Sequence, residues 1–540
     1  MKIIKVNKAN YLEKLEKYSI YIFIIGFFSI CLIYIKDFGV TLDDEIYYLN
    51  GLHTYEYVKN LFLSILNKDI NIDLYKNKLK EWPITFEVFL VFLSDIIGIK
   101  NIDKVYLLSH QLNFIFFCTA LIIFYKLVQK RFNNFYLSFL SILLIILSPR
   151  IFGESFYNSR DIFFMSLFIF YSYSAYILLD KKNYSNVIIF SILTALLINT
   201  KILSIIPIAL FSLIYIYNFL NTSKKLVNEK KIIISFIFTT IISIYILWPY
   251  LWANPIVNLY LAFKNILVVH ENLIVVNYYF GNYIQSDMMP WHYRTVWFII
   301  TTPIIILLLF IIGMISQSFK IFDALKKSLN KNYNFNNNLF FDLYFFFTFI
   351  ITFFLVIELN ASKFGGWRHL YFLYPIVIYF SIYCIKFLKN QFTNKLSIII
   401  LFLLLTINMT FNFFWVLKNH PNQHLYFNLL NKKYFMKNFD LDWWGVTHKT
   451  IIDYILKNDD SDKIYVYAKG FTSLRDTYLY LSEANKSRII LSNFRDAKYI
   501  IDNKMKRIRP YNYKYNNEYS KYYILKVDGE VVTEVYIKNK

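Results

Sequence analysis

The chain has 540 residues, of which 57% are hydrophobic, 21% are aromatic and only 17% are charged. Soluble globular proteins carry about 25% charged residues and about 45–50% apolar residues, so a soluble protein is excluded. The small numbers of Gly (12) and Pro (10) exclude collagen-like and low-complexity chains. The net charge of +22 does not indicate nucleic-acid binding, because the positive-inside rule alone enriches Lys and Arg in the cytoplasmic loops of membrane proteins. Composition therefore indicates a polytopic membrane protein.

Twelve apolar runs are the predicted elements of the membrane part. Most are long enough to cross a hydrocarbon core of about 30 Å, which needs about 20 helical residues. The three cysteines all lie in such runs and form neither a disulfide framework nor a CxxC metal site. The runs lie at about 18–36, 85–98, 106–125, 136–149, 162–179, 186–199, 202–219, 232–250, 296–317, 340–358, 370–386 and 396–416.

Charge decides how many of these runs cross the membrane. The run at 85–98 is short and contains Glu87 and Asp95. If it does not cross, every basic loop lies on the cytoplasmic side with the Lys-rich N-terminus; if it crosses, the loops after it move outside, against the positive-inside rule. We therefore predict eleven spans and an interfacial helix at 85–98. The basic residues are Lys126, Lys130, Arg131, Lys181, Lys182, Lys224, Lys225, Lys230, Lys231, Lys320, Lys326, Lys327, Lys331, Lys386, Lys389 and Lys395.

This topology predicts a membrane domain at 1–417, with a long first external loop at 37–105, and an extracytoplasmic segment at 418–540. The first span follows a basic segment without an A-x-A cleavage site, which indicates an uncleaved signal anchor. The C-terminal segment is charged and Tyr-rich, and three stretches (463–468, 488–493 and 522–538) have strand character. The predicted fold is an all-α polytopic membrane protein with a small C-terminal α/β domain.

The same topology collects most of the ionisable groups near membrane level on the outer side. Each has a structural alternative, since acids favour helix N-termini, Lys snorkels and Arg occurs in aromatic belts. Carboxylates that act as a base and cations that neutralise phosphate would suit an enzyme acting on a lipid-linked anion. The groups are Asp43, Asp44, Glu45, Arg150, Glu154, Arg160, Asp161, Lys201, His270, Asp287, His292, Arg294, Glu358, Lys363, Arg368 and His369.

Several short motifs occur in a characteristic order. They are "TLDDEIYY" (41–48), "WPITFEVFLVFLSDIIGI" (82–99), "LVQKRF" (127–132), "SPRIFGESFYNSRD" (148–161), "LLINTKILSIIP" (196–207), "GGWRHLYFLYP" (365–375), "HPNQHLYFNLL" (420–430) and "FDLDWWGVTHK" (439–449). Their order resembles the GT-C superfamily of membrane glycosyltransferases, closest to the protein O-mannosyltransferase-like branch (glycosyltransferase family 39), which includes the aminoarabinose transferases of lipid A. The chain departs from the "DYWG" tail of bacterial members, because Trp443 replaces the Tyr.

The resemblance implies transfer of a sugar from a polyprenyl-phosphate donor to an acceptor hydroxyl by one inverting displacement. Asp44 is aligned with the family's general base, and Asp43 is the alternate. Glu45 or Asp161 would orient the acceptor or support the base. A divalent metal between Asp44 and Asp161 is conceivable, but the resemblance is to metal-independent members, so no metal and no cofactor are expected.

The resemblance also implies a set of cations at the lipid phosphate. Lys201 and Arg368 would neutralise it, with His369 beside them and Arg160 or Arg294 as alternates. The expected partners are the lipid-linked donor, membrane lipids and a glycan, lipid or protein acceptor, with no nucleic acid. The expected location is a bacterial inner membrane, with the site and the C-terminal domain facing the periplasm.

Three alternative functions remain open from the sequence. A polysaccharide polymerase or ligase would share the lipid-phosphate donor. A lipid-linked sugar flippase should place ionisable residues near the middle of the bilayer. A non-catalytic membrane scaffold should tolerate substitution of Asp44.

Overall fold

The computed structural model describes a helical protein with one small C-terminal sheet. Of the basic residues in the predicted cytoplasmic loops, Lys224, Lys225 and Lys331 lie outside the described residues. The described residues are 2–67, 81–221, 226–272, 274–329, 333, 335–358, 363–392, 394–469, 471–504 and 518–539.

The predicted spans have helical counterparts throughout the described chain, so the protein is a multi-pass α-helical membrane protein. One further pair, Phe135–Ile146 and Pro149–Tyr157, is bent by 69°; the break precedes Pro149, which cannot continue a helix from the preceding turn. Two predicted spans coincide with the shorter apolar helices Tyr18–Ile33, within Lys2–Ile33, and Tyr184–Ile198. Eight helices are long and apolar enough to cross a membrane: Ile102–Phe132, Asp161–Asp180, Ile202–Leu220, Glu229–Leu247, Ile304–Ser328, Asn337–Glu358, Arg368–Gln391 and Lys395–Lys418.

The helix at Thr85–Ile97 is shorter than the helices that are long enough to cross a membrane. Its 13 residues reach only about 20 Å at 1.5 Å per residue. Phe86 packs on Phe163, with ring centroids 5.2 Å apart, which places the helix at the level of the first turn of Asp161–Asp180. The interfacial position of this helix stays a prediction.

Ion pairs join the ends of three different spans. Arg131 pairs with Asp342 at 2.6 Å, and Lys130 pairs with Asp180 at 2.9 Å. Within the described residues, the helices long and apolar enough to cross a membrane number eight, or nine with the bent pair. The total of eleven spans and the side on which the basic loops lie stay predictions.

The segments between spans on the other side also fold. The long first external loop contains the helix Asp44–Asn67. The loop at about 251–295 contains Pro255–Asn272, a two-stranded hairpin of β1 (Val276–Tyr279) and β2 (Asn282–Gln285), and the short helix Tyr293–Thr301. The α-helical parts of three spans given above are Ile205–Leu220, Leu226–Leu247 and Tyr374–Gln391. Further helices are Lys432–Asn438, Thr447–Asn458, Phe471–Tyr480 and Glu483–Lys486, with 3₁₀ turns at Ile35–Asp37, Ile202–Ser204, Pro249–Leu251, Arg368–Leu373 and Gln423–Leu425.

The C-terminal segment contains five strands, β3 (Ile464–Ala468), β4 (Ile489–Leu491), β5 (Tyr499–Asn503), β6 (Tyr519–Val527) and β7 (Glu530–Lys538). They form a mixed sheet in the order β4-β3-β5-β7-β6. Strand β3 is parallel to β4 and β5, whereas β7 is antiparallel to β5 and β6. The predicted α/β character is confirmed, and β5 was not predicted.

The C-terminal segment packs directly on the membrane part. The turn between β6 and β7 contacts the last span, where Trp415 Nε1 donates to both carboxylate oxygens of Asp528 at 3.0 Å. Tyr480, at the end of Phe471–Tyr480, is buried against Val40 and Tyr106. This packing brings residues near 443 to the loops that contain the predicted site. The boundary at 417/418 stays a prediction.

Candidate active site

Four predicted site residues from distant parts of the chain meet at one place. Asp43 precedes the helix in the first external loop, and Asp161 begins a span. Lys201 lies in the turn between two spans, and Arg368 begins the 3₁₀ turn before another. All four therefore sit at helix ends on the same side of the protein, and they form what we call the charged cluster.

Asp161 is the centre of the charged cluster, and only 1% of its side chain is exposed. Lys201 Nζ forms an ion pair with its Oδ1, and Arg368 Nη1 lies 3.8 Å from its Oδ2. Asn158 Nδ2 donates to Oδ2 at 3.0 Å, and His369 Nδ1 lies 3.8 Å from Oδ1. A buried carboxylate needs this many partners to stay charged. Asp161 is therefore held in place, with little access to a substrate.

Asp43 lies at the accessible edge of the charged cluster. Trp444 Nε1 donates to its Oδ2 at 3.0 Å, and Arg368 Nη1 lies 3.9 Å from the same oxygen. The side chain is 26% exposed, so a solute can reach it. Trp444 also covers the Arg368 guanidinium at 4.2 Å from the ring centroid. The sequence motif around residue 444 was noted, but this Trp was not predicted as a site residue.

Asp44 has a different environment from its neighbour. Its Oδ2 accepts from the backbone N–H of Thr41 at 2.6 Å, while Thr41 Oγ1 accepts from the Asp43 N–H at 3.4 Å, an arrangement close to a capping box. Burial raises the pKa of Asp44 against the lowering effect of the Thr41 N–H, and the charge of Asp476 adds to the increase. The structure thus places Asp43 in the charged cluster and Asp44 at the helix cap. Which of the two acts as the base stays a prediction.

Glu45 faces the C-terminal segment. Its carboxylate forms an ion pair with Arg475, on the helix that also contains Asp476. Asp476 is 1% exposed, and burial, followed by the charge of Glu45, raises its pKa to about 7. Glu45 thus connects the first external loop to the C-terminal segment, and no contact places it beside Asp161.

Arg160 adjoins the charged cluster from the side of the interfacial helix. Its Nη1 donates to the Pro83 carbonyl at 3.2 Å and lies 3.7 Å from Glu87 Oε2. Its guanidinium stands 4.4 Å from the Tyr47 ring centroid. Burial raises the pKa of Glu87, and the positive charge of Arg160 opposes this increase.

Arg294 lies in another group of residues. It is buried at the start of Tyr293–Thr301, and burial lowers its pKa to about 10. Its charge also contributes to a lowered pKa of Lys363, after burial. The proposed role of Arg294 as an alternate phosphate ligand stays a prediction.

Glu154 is a second buried carboxylate, and Asn158 connects it to the charged cluster. Asn158 Nδ2 donates to Glu154 Oε2 at 2.7 Å as well as to Asp161. Tyr371 OH donates to Glu154 Oε1 at 2.7 Å. These contacts join three helix ends, and they fix the position of Asp161. Asn158 and Tyr371 were missed because nothing in their local sequence distinguishes them from ordinary polar residues of an interface.

A large apolar cavity of about 580 Å³ begins beside the charged cluster. Its wall includes Pro83, which accepts from Arg160, and Asn199, whose carbonyl accepts from Thr85 Oγ1 at 2.7 Å. Tryptophans typical of a membrane interface lie at its rim. The lining residues include Phe62, Phe89, Phe116, Phe163, Leu167, Trp248 and Trp252.

Asp44 and Asp161 have different partners in the structure. Asp161 faces Lys201 and Asn158, and Asp44 accepts from the Thr41 amide. Within the described part of the chain, no group of three or more His, Cys, Asp or Glu residues could hold a metal ion. Independence of a metal stays an expectation from the sequence.

Comparisons with known proteins give structural neighbours only. No family model matches the chain, and no curated protein matches it. ArnT from Cupriavidus metallidurans in the apo state is similar with a TM-score of 0.44 and 10% identity, covering 95% of this chain and 97% of that chain. The same protein bound to undecaprenyl phosphate gives a TM-score of 0.43 and 10% identity, with the same coverage.

Proposed function

We propose that this protein is a membrane glycosyltransferase that moves a sugar from a polyprenyl-phosphate donor to an acceptor hydroxyl. The observation that carries the proposal is the proximity of the charged cluster to an apolar cavity of about 580 Å³, whose wall includes Phe163, two residues after Asp161, and Asn199, two residues before Lys201. A polyprenyl phosphate needs both features, because its chain is apolar and its phosphate is stabilised by cations. The motif order that resembles the GT-C superfamily supports the same donor class.

We infer the position of the donor from the residues that line the cavity. Phe163 and Leu167 line the cavity and belong to the helix that begins at Asp161. A lipid chain along this wall would bring its phosphate to the helix end, within reach of Lys201 and Arg368. The carboxylate of Asp161 lies at the same helix end, and these two cations already hold it in place.

Asp43 is the best candidate for the general base. It would take the proton of the acceptor hydroxyl while the acceptor oxygen attacks the anomeric carbon. The bond from that carbon to the phosphate oxygen breaks, and its electron pair leaves with the polyprenyl phosphate, inverting the anomeric centre. Asp161 is less suited, since it is 1% exposed whereas Asp43 is 26% exposed. A positioned base contributes typically about 10²–10⁴-fold.

The cations have separate roles in this mechanism. Arg368 lies within 4 Å of a carboxylate oxygen of both Asp43 and Asp161, so it can shift towards a phosphate as negative charge develops. Lys201 would hold the second phosphate oxygen, with Arg160 beside it. Such preorganised cations act strongly in a site with little water.

The proposed orientation puts the charged cluster on the outer side of a bacterial inner membrane. The support is the distribution of basic residues, since Arg131, Lys130 and Lys182 pair at the other ends of the spans. The positive-inside rule assigns those ends to the cytoplasm. The site and the C-terminal segment would then face the periplasm.

The test uses the full chain in lipid nanodiscs with a panel of radiolabelled polyprenyl-phosphate sugars and a membrane extract as acceptor. We expect consumption of at least one donor, loss of transfer in Asp43→Asn, and no effect of EDTA. Inhibition by EDTA would contradict the metal-independent mechanism. Failure of the wild type to consume any donor would contradict the proposed function and favour a scaffold.

A further inference from the structure

We propose that Phe364 and Trp443 form a stacking platform for a pyranose ring of the acceptor, so that the acceptor is a carbohydrate. The two rings are stacked, with centroids 5.8 Å apart and an interplanar angle of 19°. This inference rests on the proposed function and specifies its acceptor. Neither residue has a role in the mechanism described above.

The platform adjoins the charged cluster. The Phe364 ring meets the edge of His369 at 5.5 Å, and His369 Nδ1 lies 3.8 Å from Asp161 Oδ1. The Arg368 guanidinium is 5.8 Å from the Phe364 centroid. A ring resting on the platform would therefore lie beside the groups proposed to act on the donor phosphate.

Trp443 and Trp444 are consecutive but have different surroundings. Trp444 is 7% exposed and donates to Asp43. Trp443 is half-buried, as is Phe364, so part of each ring surface remains accessible. Neither residue lines the apolar cavity. The platform is thus separate from the proposed lipid path, and it suits the substrate that arrives from the aqueous side.

The backbone around Trp443 is fixed before any ligand arrives. Asp442, which is 1% exposed, accepts from the backbone N–H groups of Val446 and Thr447 at 2.9 Å each. Gly445 has φ +73° and closes this turn, a conformation that favours glycine. An aromatic residue held in this way loses little conformational freedom on binding, which favours affinity.

The chemistry of a pyranose matches this surface. One face of a pyranose presents C–H groups, and aromatic faces carry partial negative charge that attracts them. The hydroxyl rim needs polar partners, and His369 is the adjacent polar side chain. A lipid acyl chain would instead favour the apolar cavity, and a Ser or Thr acceptor has no ring to stack. Aromatic walls with a few polar groups are typical of small-molecule sites.

The test is saturation-transfer-difference NMR on the full chain in lipid nanodiscs. The probes are methyl α-D-mannopyranoside, methyl β-D-glucopyranoside and methyl β-D-galactopyranoside. We expect saturation of ring C–H protons of at least one glycoside, with affinity reduced about 2- to 10-fold in Trp443→Ala and Phe364→Ala. Trp443→Tyr should retain binding. Trp291→Ala is the matched control, because Trp291 is 65% exposed and lies outside the platform.

Two further measurements distinguish a failure of the platform proposal from a failure of the proposed mechanism. Asp43→Asn should keep glycoside binding and lose transfer, so that a wrong base assignment leaves the platform result intact. Saturating polyprenyl-phosphate sugar should leave the glycoside signal in place. Loss of the signal on adding the donor would assign the platform to the donor sugar and overturn the proposal. Absence of wild-type binding to all three glycosides, or wild-type binding by Trp443→Ala, would also overturn it.

Discussion

Trp444 Nε1 donates a hydrogen bond of 3.0 Å to Asp43 Oδ2, between residues that are 401 positions apart. The same indole covers the Arg368 guanidinium at 4.2 Å. One side chain of the C-terminal segment therefore positions both the proposed base and a proposed phosphate ligand. The C-terminal segment completes the site, although it contains its own sheet and hydrophobic core.

Replacing Trp444 by Phe keeps an aromatic ring over Arg368 but removes the donor to Asp43. A hydrogen bond to a charged group is worth about 1.5–3 kcal/mol, so we expect kcat to fall about 10- to 100-fold with little change in donor KM. Steady-state kinetics of Trp444→Phe beside Trp291→Phe would measure this. An unchanged kcat would show that the hydrogen bond does not position the base.

Substitutions at Lys201 and Asp161 should be strongly coupled. Removing one partner of a buried ion pair leaves an uncompensated charge and costs about 3–5 kcal/mol, so Lys201→Met and Asp161→Asn should each lower the thermal unfolding midpoint. The double variant should be less destabilised than the sum of the two and should remain inactive. A double-mutant cycle of unfolding midpoints in detergent measures the coupling, and additive effects would argue against a direct pair.

The stability of the protein should depend on pH through Asp476. Burial, and then the charge of Glu45, raise its pKa from the ordinary value of 3.8 to about 7. The folded state then binds a proton that the unfolded chain releases near pH 4, so this contribution is fully present below about pH 4 and is lost as pH rises to 7.

Asp476→Asn should therefore unfold at a higher temperature than the wild type at pH 8. The difference between the two proteins should shrink towards pH 5. Unfolding midpoints across this range, with the exposed Asp462→Asn as control, would check the sign. A parallel pH profile of Asp476→Asn and wild type would contradict it.

The architecture of the membrane part was predictable because charge and hydrophobic length act locally. The basic loops gave the predicted side of each span. Asp161, Lys201 and Arg368 were predicted to share one side because each adjoins the outer end of a predicted span, and the family resemblance selected them from the other ionisable groups there. Their direct contacts depend on side-chain packing and could not be predicted.

The choice between Asp43 and Asp44 could not be made from the sequence. Both begin one helix, and only the capping contact with Thr41 shows which carboxylate the helix uses. Trp444 acts on Asp43, which lies 401 positions away, so the contact could not be seen in the sequence. Asn158 contacts Glu154 and Asp161, four and three positions away, but its type does not distinguish it from an ordinary polar residue. Arg294 was an alternate phosphate ligand implied by the family resemblance, and that role stays a prediction.

A substitution that fills part of the apolar cavity should impair transfer from donors with a long lipid chain and leave transfer from short-chain donors unaffected. Leu196 lines the cavity, and a Trp at this position would occupy space proposed for the lipid chain. We expect Leu196→Trp to raise the KM for a long polyprenyl-phosphate sugar and to leave a donor with one or two isoprene units unaffected. Leu213→Trp is the control, since Leu213 is 63% exposed outside the cavity. Equal effects on long and short donors would place the lipid chain elsewhere.

The most direct test of the proposed mechanism compares Asp43→Asn with Asp44→Asn in the transfer assay. The two variants differ by one position and remove the same charge, so they form a matched pair. We expect Asp43→Asn to lose about 10²–10⁴-fold in transfer, while Asp44→Asn retains most activity, because its amide oxygen can still accept from Thr41. Full activity of Asp43→Asn, with or without loss in Asp44→Asn, would contradict the assignment of Asp43 as the base.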